Sequence, residues 1–235
     1  MSRIERFAVN SRGRDLAVGD IHGHFQRLER CLEQIGFDTQ RDRLFSVGDL
    51  VDRGPDSARV LEWLAQPWLH AVQGNHESLA VSHVMGGRLD PQLYRAAGGG
   101  WFLDLAPGEQ RRFAERFAAM PMALEIETDD GLVGLLHADC PFADWHELTR
   151  QFQSGLDEAA QEYCQWSRRR LQHEDDSRIT GLRALVVGHT PLRKVKVLGN
   201  VWHIDTAGWA SGHFSVLDLR SLTLVTPTPR VDQSR

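Results

Sequence analysis

Five short polar clusters, each directly following an apolar run, constrain this chain most: Gly19-Asp20-Ile21-His22-Gly23, Gly48-Asp49-Leu50-Val51-Asp52-Arg53-Gly54, Gly74-Asn75-His76-Glu77, His137-Ala138-Asp139 and Gly188-His189-Thr190. The runs that precede them are Leu16 to Val18, Leu44 to Val47, Leu69 to Val72, Leu132 to Leu136 and Ala184 to Val187. Short continuous apolar runs punctuated by glycine read as strands buried on both faces. After the first cluster, Phe25, Leu28, Leu32 and Ile35 fall at helical spacing; after the second, Val60, Leu61 and Leu64 mark a helix that Pro67 closes. Strand-loop-helix units in series predict an α/β fold with a parallel sheet. In such sheets the loops beyond the carboxyl ends of the strands converge, so residues far apart in sequence are expected to meet there.

The remaining segments differ in character. Stretches near 85–121 and 142–183 are polar and helix-prone, and read as insertions covering the sheet edge; the first includes Gly98-Gly99-Gly100-Trp101 and a helix over Glu109 to Met120. Alternation around Val201 to Ile204, Phe214 to Leu219 and Leu222 to Val225 predicts an antiparallel meander. Residues 227–235 read as a flexible tail. The whole of 1–235 is expected to form a single domain.

A net charge of -5 and the lack of a long basic stripe argue against a nucleic-acid binder. No stretch approaches the roughly 20 apolar residues of a membrane span. The three cysteines, Cys31, Cys140 and Cys164, form no Cys-x-x-Cys pair, and a reduced, cytoplasmic setting is the expectation. Cys140 is expected to be a buried filler rather than a reactive thiol, since nothing basic flanks it. The composition leaves the oligomeric state open.

The chemistry lies in the residue types. Asp20, His22, Asp49, Asn75, His137 and His189 supply carboxylate, imidazole and amide oxygen, the donors a divalent ion needs if it is to activate water and touch phosphate. Any one of them alone reads as a turn or a hydrogen-bonded loop residue. All six after strand-like runs read as a binuclear centre, and Asp49 is the natural bridge between ions about 3.5–4 Å apart.

These motifs resemble the signature blocks of the phosphoprotein phosphatase family within the metallophosphoesterases. The likeness is greatest to the small bacterial and bacteriophage serine/threonine phosphatases, through Gly98-Gly99-Gly100-Trp101-Phe102, His137-Ala138-Asp139-x-Pro141-Phe142 and Trp166-x-Arg168. The resemblance implies a four-layer α/β/β/α sandwich with mixed sheets, a calcineurin-like domain. It places Asp20, His22 and Asp49 on one metal and Asp49, Asn75, His137 and His189 on the other. It also implies manganese as the activating ion, although the residues themselves do not choose among manganese, iron and zinc.

The same residue types assign roles around the metals. His76 is the candidate general acid for the leaving group, with Asp52 as the partner that orients it. Arg53 offers a planar fork for two phosphoryl oxygens, and Arg168 is the second clamp by its place in the Trp-x-Arg element. Arg169 and Arg170 read as solvated. Asp139 is expected to orient His137 or a neighbouring turn, and His24 and His203 to hydrogen-bond locally. The tryptophans are expected mostly to pack. Two departures stand out: Gln73 where relatives carry Arg, and Ala207 where Gly is common.

The implied activity is hydrolysis of phosphorylated serine or threonine in proteins or peptides, with phosphotyrosine as a further candidate. Two other readings compete. Symmetrical dinucleoside-tetraphosphate hydrolases usually lack the Asp of Asp-Arg-Gly and read Gly-Asn-His-Asp, whereas this chain has Asp52 and Glu77. An inactive phosphate-recognition scaffold would be expected to lose a bridging carboxylate or the acid histidine, and neither is missing.

Overall fold

The computed structural model describes residues 4–87, 89–155 and 158–225, so the 227–235 tail lies outside them. The strands are β1 (Ile4–Phe7), β2 (Asp15–Val18), β3 (Arg43–Ser46), β4 (Leu69–Ala71), β5 (Ala123–Thr128), β6 (Gly131–Leu135), β7 (Ala184–Val187), β8 (Lys196–Leu198), β9 (Val201–His203), β10 (Val216–Asp218) and β11 (Thr223–Leu224). They form two sheets, ordered β1-β5-β6-β7-β9-β8 and β11-β10-β2-β3-β4. The five motif-bearing strands divide between them. β2, β3 and β4 run parallel in one sheet, and β6 and β7 run parallel in the other.

Burial explains why these runs are continuously apolar. Leu16 and Val18 of β2 pack with α1 (Phe25–Gln34), while Ala17 between them faces the second sheet. Leu185 and Val187 of β7 likewise pack on one face, and Ala184 and Val186 face the first sheet. Successive side chains point to opposite faces, so a strand sandwiched between helix and sheet has no polar position. Three apolar layers result, one on each outer face and one between the sheets, as a four-layer α/β/β/α sandwich requires. In α1 the expected Phe25, Leu28 and Leu32 are the buried residues, each contributing about 2 kcal/mol of apolar burial.

The outer helices are α2 (Val60–Leu64), α3 (Asn75–Val84), α4 (Pro91–Tyr94), α5 (Gly100–Leu103), α6 (Pro107–Ala118), α7 (Trp145–Ser154), α8 (Glu158–Trp166), α9 (Arg169–His173) and α10 (Gly208–Ser211). The helix expected over Glu109 to Met120 begins two residues earlier, because proline is tolerated in the first turn, where its missing N–H has no intrahelical acceptor. Segments 85–121 and 142–183 do more than cover an edge. Phe113 and Phe117 of α6 enter one core, and Trp145, Leu148 and Phe152 of α7 enter another.

The predicted C-terminal meander forms only in its last two strands, β10 and β11, which pair antiparallel. β9 joins one sheet, parallel to β7, whereas β10 joins the other, antiparallel to β2 and β11. Alternation reports a half-buried strand without naming its neighbour, and here the chain between residues 204 and 214 crosses from one sheet to the other.

His70 on β4 lies against Phe7 at 4.4 Å and Phe45 at 5.3 Å between ring centroids. Burial, reinforced by Arg43, lowers its pKa to about 4. The fold therefore favours the neutral ring. Its contribution is full above the ordinary value near 6.5 and drains away as pH falls toward 4. His70→Phe is expected to flatten the loss of Tm between pH 7 and 4.5 by about 2–4 °C, corresponding to roughly 1 kcal/mol after discounting for partial exposure. Thermal melts across that range check it; an unchanged pH slope would remove His70 as the cause.

Candidate metal centre

The strand ends deliver their side chains into one buried cluster. Asp20, His22, Asp49, Asn75, His137 and His189 are all buried, though they come from both sheets. Two donor groups are close enough to hold cations, His22–Asp49–His76 and Asp49–His137–His189, and Asp49 belongs to both. Its Oδ2 lies 3.6 Å from His22 Nε2 and its Oδ1 lies 3.4 Å from His137 Nε2, so the two carboxylate oxygens face opposite sides. Asn75 Oδ1 sits 2.8 Å from His137 Nε2 and 2.9 Å from His189 Nδ1. Asp20 Oδ2 is 3.9 Å from His22 Nε2, on the first side.

Each ring is held by its other nitrogen. His22 Nδ1 meets Val51 O at 2.9 Å, His137 Nδ1 meets Val47 O at 2.6 Å, and His189 Nε2 meets Trp166 O at 3.2 Å. A backbone carbonyl accepts only from N–H, so in the neutral ring the opposite nitrogen has its lone pair facing the cluster. Burial lowers the pKa of His22 and of His189 to about 3, which keeps both neutral and able to donate.

The acidic residues are what fit the cluster to cations. Asp20, Asp49, Glu77 and Asp205 are each at most 2% exposed, and Asp205 Oδ2 has no hydrogen-bond partner. Burial, then Asp205 and Asp49, raise Asp20 well above the usual carboxylate range. Burial alone would lower His137, but the charge and hydrogen bond of Asp49 push it up to about 10. The carboxylates thus pull positive charge into their midst as a proton on His137. A divalent ion takes that proton's place, because buried charge is stable only when paired or coordinated.

The loops that carry these residues are strained. His22, Asp49, Asp52, Arg53 and His189 all have φ between +46° and +71°. A left-handed conformation is unfavourable for residues with a Cβ, and it persists where surrounding contacts over-determine it. Glu77 supplies many of those contacts. Its two oxygens accept from the N–H groups of Asp49 at 3.0 Å, Leu50 at 2.8 Å, Val51 at 3.3 Å and Gly74 at 2.9 Å. Burial and Asp49 raise its pKa to about 7. Gly74 is needed for close approach: a Cβ there would stand 2.2 Å from Asp49 Oδ1.

At the mouth, His76 Nδ1 bonds Asp52 Oδ2 at 2.6 Å, and Trp101 Nε1 donates to Asp52 Oδ1 at 2.7 Å. Burial would lower the pKa of His76, but Asp49 and Asp52 outweigh it and raise the ring above its ordinary value. Arg53 places Nη1 2.7 Å from His22 Nε2 and Nη2 3.1 Å from His76 Nε2, with its guanidinium 4.7 Å above the Trp209 ring.

Several expectations are corrected. Asp139 does not touch His137; it accepts from Arg170 Nε at 3.0 Å and from Cys140 N–H at 2.9 Å. Arg170 is accordingly buried rather than solvated, whereas Arg168 is exposed and reaches the cluster by its charge on His189. His203 is buried with Nε2 unpartnered. Cys140 is buried as expected, and burial raises its thiol to about 12. Gln73 bridges two helices, donating to Phe117 O at 2.7 Å and accepting from Gln165 Nε2 at 2.9 Å. Ala207 adopts φ +53, the conformation its usual glycine takes without strain.

Glu77, Trp101, Asp205 and Trp209 were not assigned to the site from sequence. Glu77 stood three residues after Gly74, at capping-box spacing; Trp101 and Trp209 carried no local signal beyond glycine-rich turns.

Comparison with known proteins agrees with this geometry. Residues 14–223 match the model of the calcineurin-like phosphoesterases. The chain is 34% identical over 209 residues to serine/threonine-protein phosphatase 2 of Escherichia coli, covering 86% of this chain and 91% of that one. It is 36% identical over 204 residues to serine/threonine-protein phosphatase 1 of Salmonella typhimurium, covering 85% and 88%. Among solved structures, a candidate diadenosine tetraphosphatase superimposes with a TM-score of 0.66 at 20% identity, covering 97% of this chain and 98% of that one, which speaks to the fold. With two sheets converging their strand ends on a shared buried aspartate, the chain belongs to the calcineurin-like phosphoesterase family, and is a phosphoester hydrolase.

Proposed function

We propose that this enzyme is a protein serine/threonine phosphatase in which Asp20, His22 and Asp49 hold one divalent ion and Asp49, Asn75, His137 and His189 hold a second. The observation that carries this reading is the two-sided exposure of Asp49 to His22 and His137, together with the His76–Asp52 pair beside it. Manganese is the expected ion. Bound there, the pair of ions supplies charge neutralisation for the phosphoryl group and a water acidic enough to attack phosphorus at neutral pH.

The remaining steps belong to the chain's own residues. Arg53, stacked on Trp209, would turn its fork from His22 and His76 to two phosphoryl oxygens, and Arg168 lies at the α8–α9 turn as the second clamp. Asp52 fixes Nδ1–H of His76, which leaves Nε2, beside Arg53 Nη2 at 3.1 Å, as the atom that would pass its proton to the departing serine or threonine oxygen. Phosphorylated protein segments are the expected substrates, and the relatives named as protein phosphatases support that choice. The retained Asp52 and Glu77 favour it over dinucleoside tetraphosphates, since both residues make the contacts described above.

The test is a substrate panel with manganese-loaded protein: phosphoserine, phosphothreonine and phosphotyrosine peptides, an aryl phosphate and a dinucleoside tetraphosphate. Turnover of the phosphopeptides is expected. Hydrolysis of the dinucleotide alone would replace this reading, and no turnover of any ester would point to a recognition scaffold.

A further inference from the structure

We infer that Trp101 is a positioning residue for the proton-delivery pair, so that segment 91–103, and not the sheet edge alone, sets the aim of His76. The inference rests on the reading of His76 as the acid for the leaving group.

Asp52 is completely buried and has two oxygens to place. His76 takes Oδ2 at 2.6 Å, and the Trp101 indole N–H takes Oδ1 at 2.7 Å. A carboxylate held at one oxygen can still turn about its own axis; held at both, it presents a fixed lone pair to the imidazole. Trp101 is therefore to Asp52 what Asp52 is to His76. Partners one step removed from a reacting group commonly change activity by about 10–100-fold through such orientation.

The segment is built to hold that indole in place. Its backbone touches the strained loop directly, with the Arg53 N–H directed at Gly98 O at 3.4 Å. Gly98 has φ +108, and a Cβ there would stand 2.5 Å from Arg53 N, so only glycine allows the approach. Tyr94 is buried against Gly99, where a Cβ would collide with its ring. The indole is also packed by the Phe113 ring of α6, nearly perpendicular to it at 5.2 Å between centroids. An exposed 2.6 Å ion pair between Arg95 and Asp104 spans the turn that carries Trp101. Trp101 and His76 hold the two Asp52 carboxylate oxygens, the Tyr94 hydroxyl of the same segment also acts on that carboxylate, and His76 is the group whose donor direction they determine.

The experiment measures kcat and KM for manganese-loaded wild type, Trp101→Phe, His76→Asn, the double variant and Phe113→Leu. Substrates are aryl phosphates of graded leaving-group acidity and a phosphoserine peptide. Trp101→Phe is expected to lower kcat on the peptide about tenfold, to leave KM and the rate on nitrophenyl phosphate within about twofold, and to steepen the dependence of kcat on leaving-group acidity. On the His76→Asn background it should add nothing further. Phe113→Leu, which loosens the same packing but keeps the hydrogen bond, should lower Tm and leave the leaving-group slope unmoved. If Trp101→Phe does not fold, Trp101→Leu serves the same comparison.

A uniform loss across all esters, a full additional loss on the His76→Asn background, or an equal slope change from Phe113→Leu would overturn the inference. If His76→Asn itself leaves the slope unchanged, the acid role of His76 fails, and that result is separable from a failure of Trp101 alone.

Discussion

Asp49→Asn is expected to abolish binding of at least one of two divalent ions and to lower kcat by about 10³-fold or more. The side chain keeps its shape, so the change isolates charge and donor chemistry. Oδ2 and Oδ1 face His22 at 3.6 Å and His137 at 3.4 Å, and an amide offers one acceptor where the carboxylate offers two. A Lewis-acidic ion supplies several kcal/mol of transition-state charge stabilisation, and about 4 kcal/mol corresponds to 10³ in rate. Stability should fall as well, even before metal is added. Burial would raise the Asp49 carboxyl, but His137 and His76 outweigh it and hold the group well below the usual carboxylate range, so its charge is net stabilising and a neutral amide cannot replace it. The variant should therefore melt below wild type without metal, and should also lose the rise in Tm that saturating manganese gives to wild type. Calorimetric titration with manganese, paired with thermal melts, reads both. Unaltered stoichiometry and affinity would show that Asp49 is not shared.

His76→Asn is expected to cost about 10²–10⁴-fold in kcat on phosphoserine peptides and far less on nitrophenyl phosphate. The reason is the leaving group: a serine alkoxide needs a proton to depart and a nitrophenolate does not. The geometry also offers His76 a rival role, because its Nε2 lies 3.8 Å from Asp49 Oδ2 and it falls within one of the two cation-holding groups. Burial would lower the pKa of His76, but Asp49 and Asp52 outweigh it, and Asp49 lifts the ligand His137 in the same way, so both roles fit the ring's charge state. Metal stoichiometry separates the two readings. As the acid, His76→Asn keeps both ions and loses rate selectively on poor leaving groups; as a ligand, it would lose an ion and slow every ester alike.

Much of this arrangement is legible from sequence because it is imposed by local rules. The runs at Leu16, Leu44 and Ala184 must be strands buried on both faces, and topology then obliges the residues after them to meet. What escaped has a common cause. Glu77 acts on the backbone of Leu50 and Val51, Trp101 on a carboxylate in another loop, and Arg170 on Asp139, each across at least twenty residues of sequence. Such contacts are fixed by tertiary packing, and neither periodicity nor spacing encodes them. The C-terminal strands failed for the same reason: alternation at Val201 and Phe214 marks half-buried strands without saying which sheet each joins. Gln73 shows the converse. Its departure from the usual arginine looked like a change at the site, yet its amide is consumed by Phe117 and Gln165.

The account turns on two ions sharing one aspartate, and anomalous diffraction from crystals grown with manganese tests this directly. Two peaks flanking Asp49 are predicted, one against His22 and the other against Asn75, His137 and His189. A single peak, or two peaks that do not share Asp49, would contradict it.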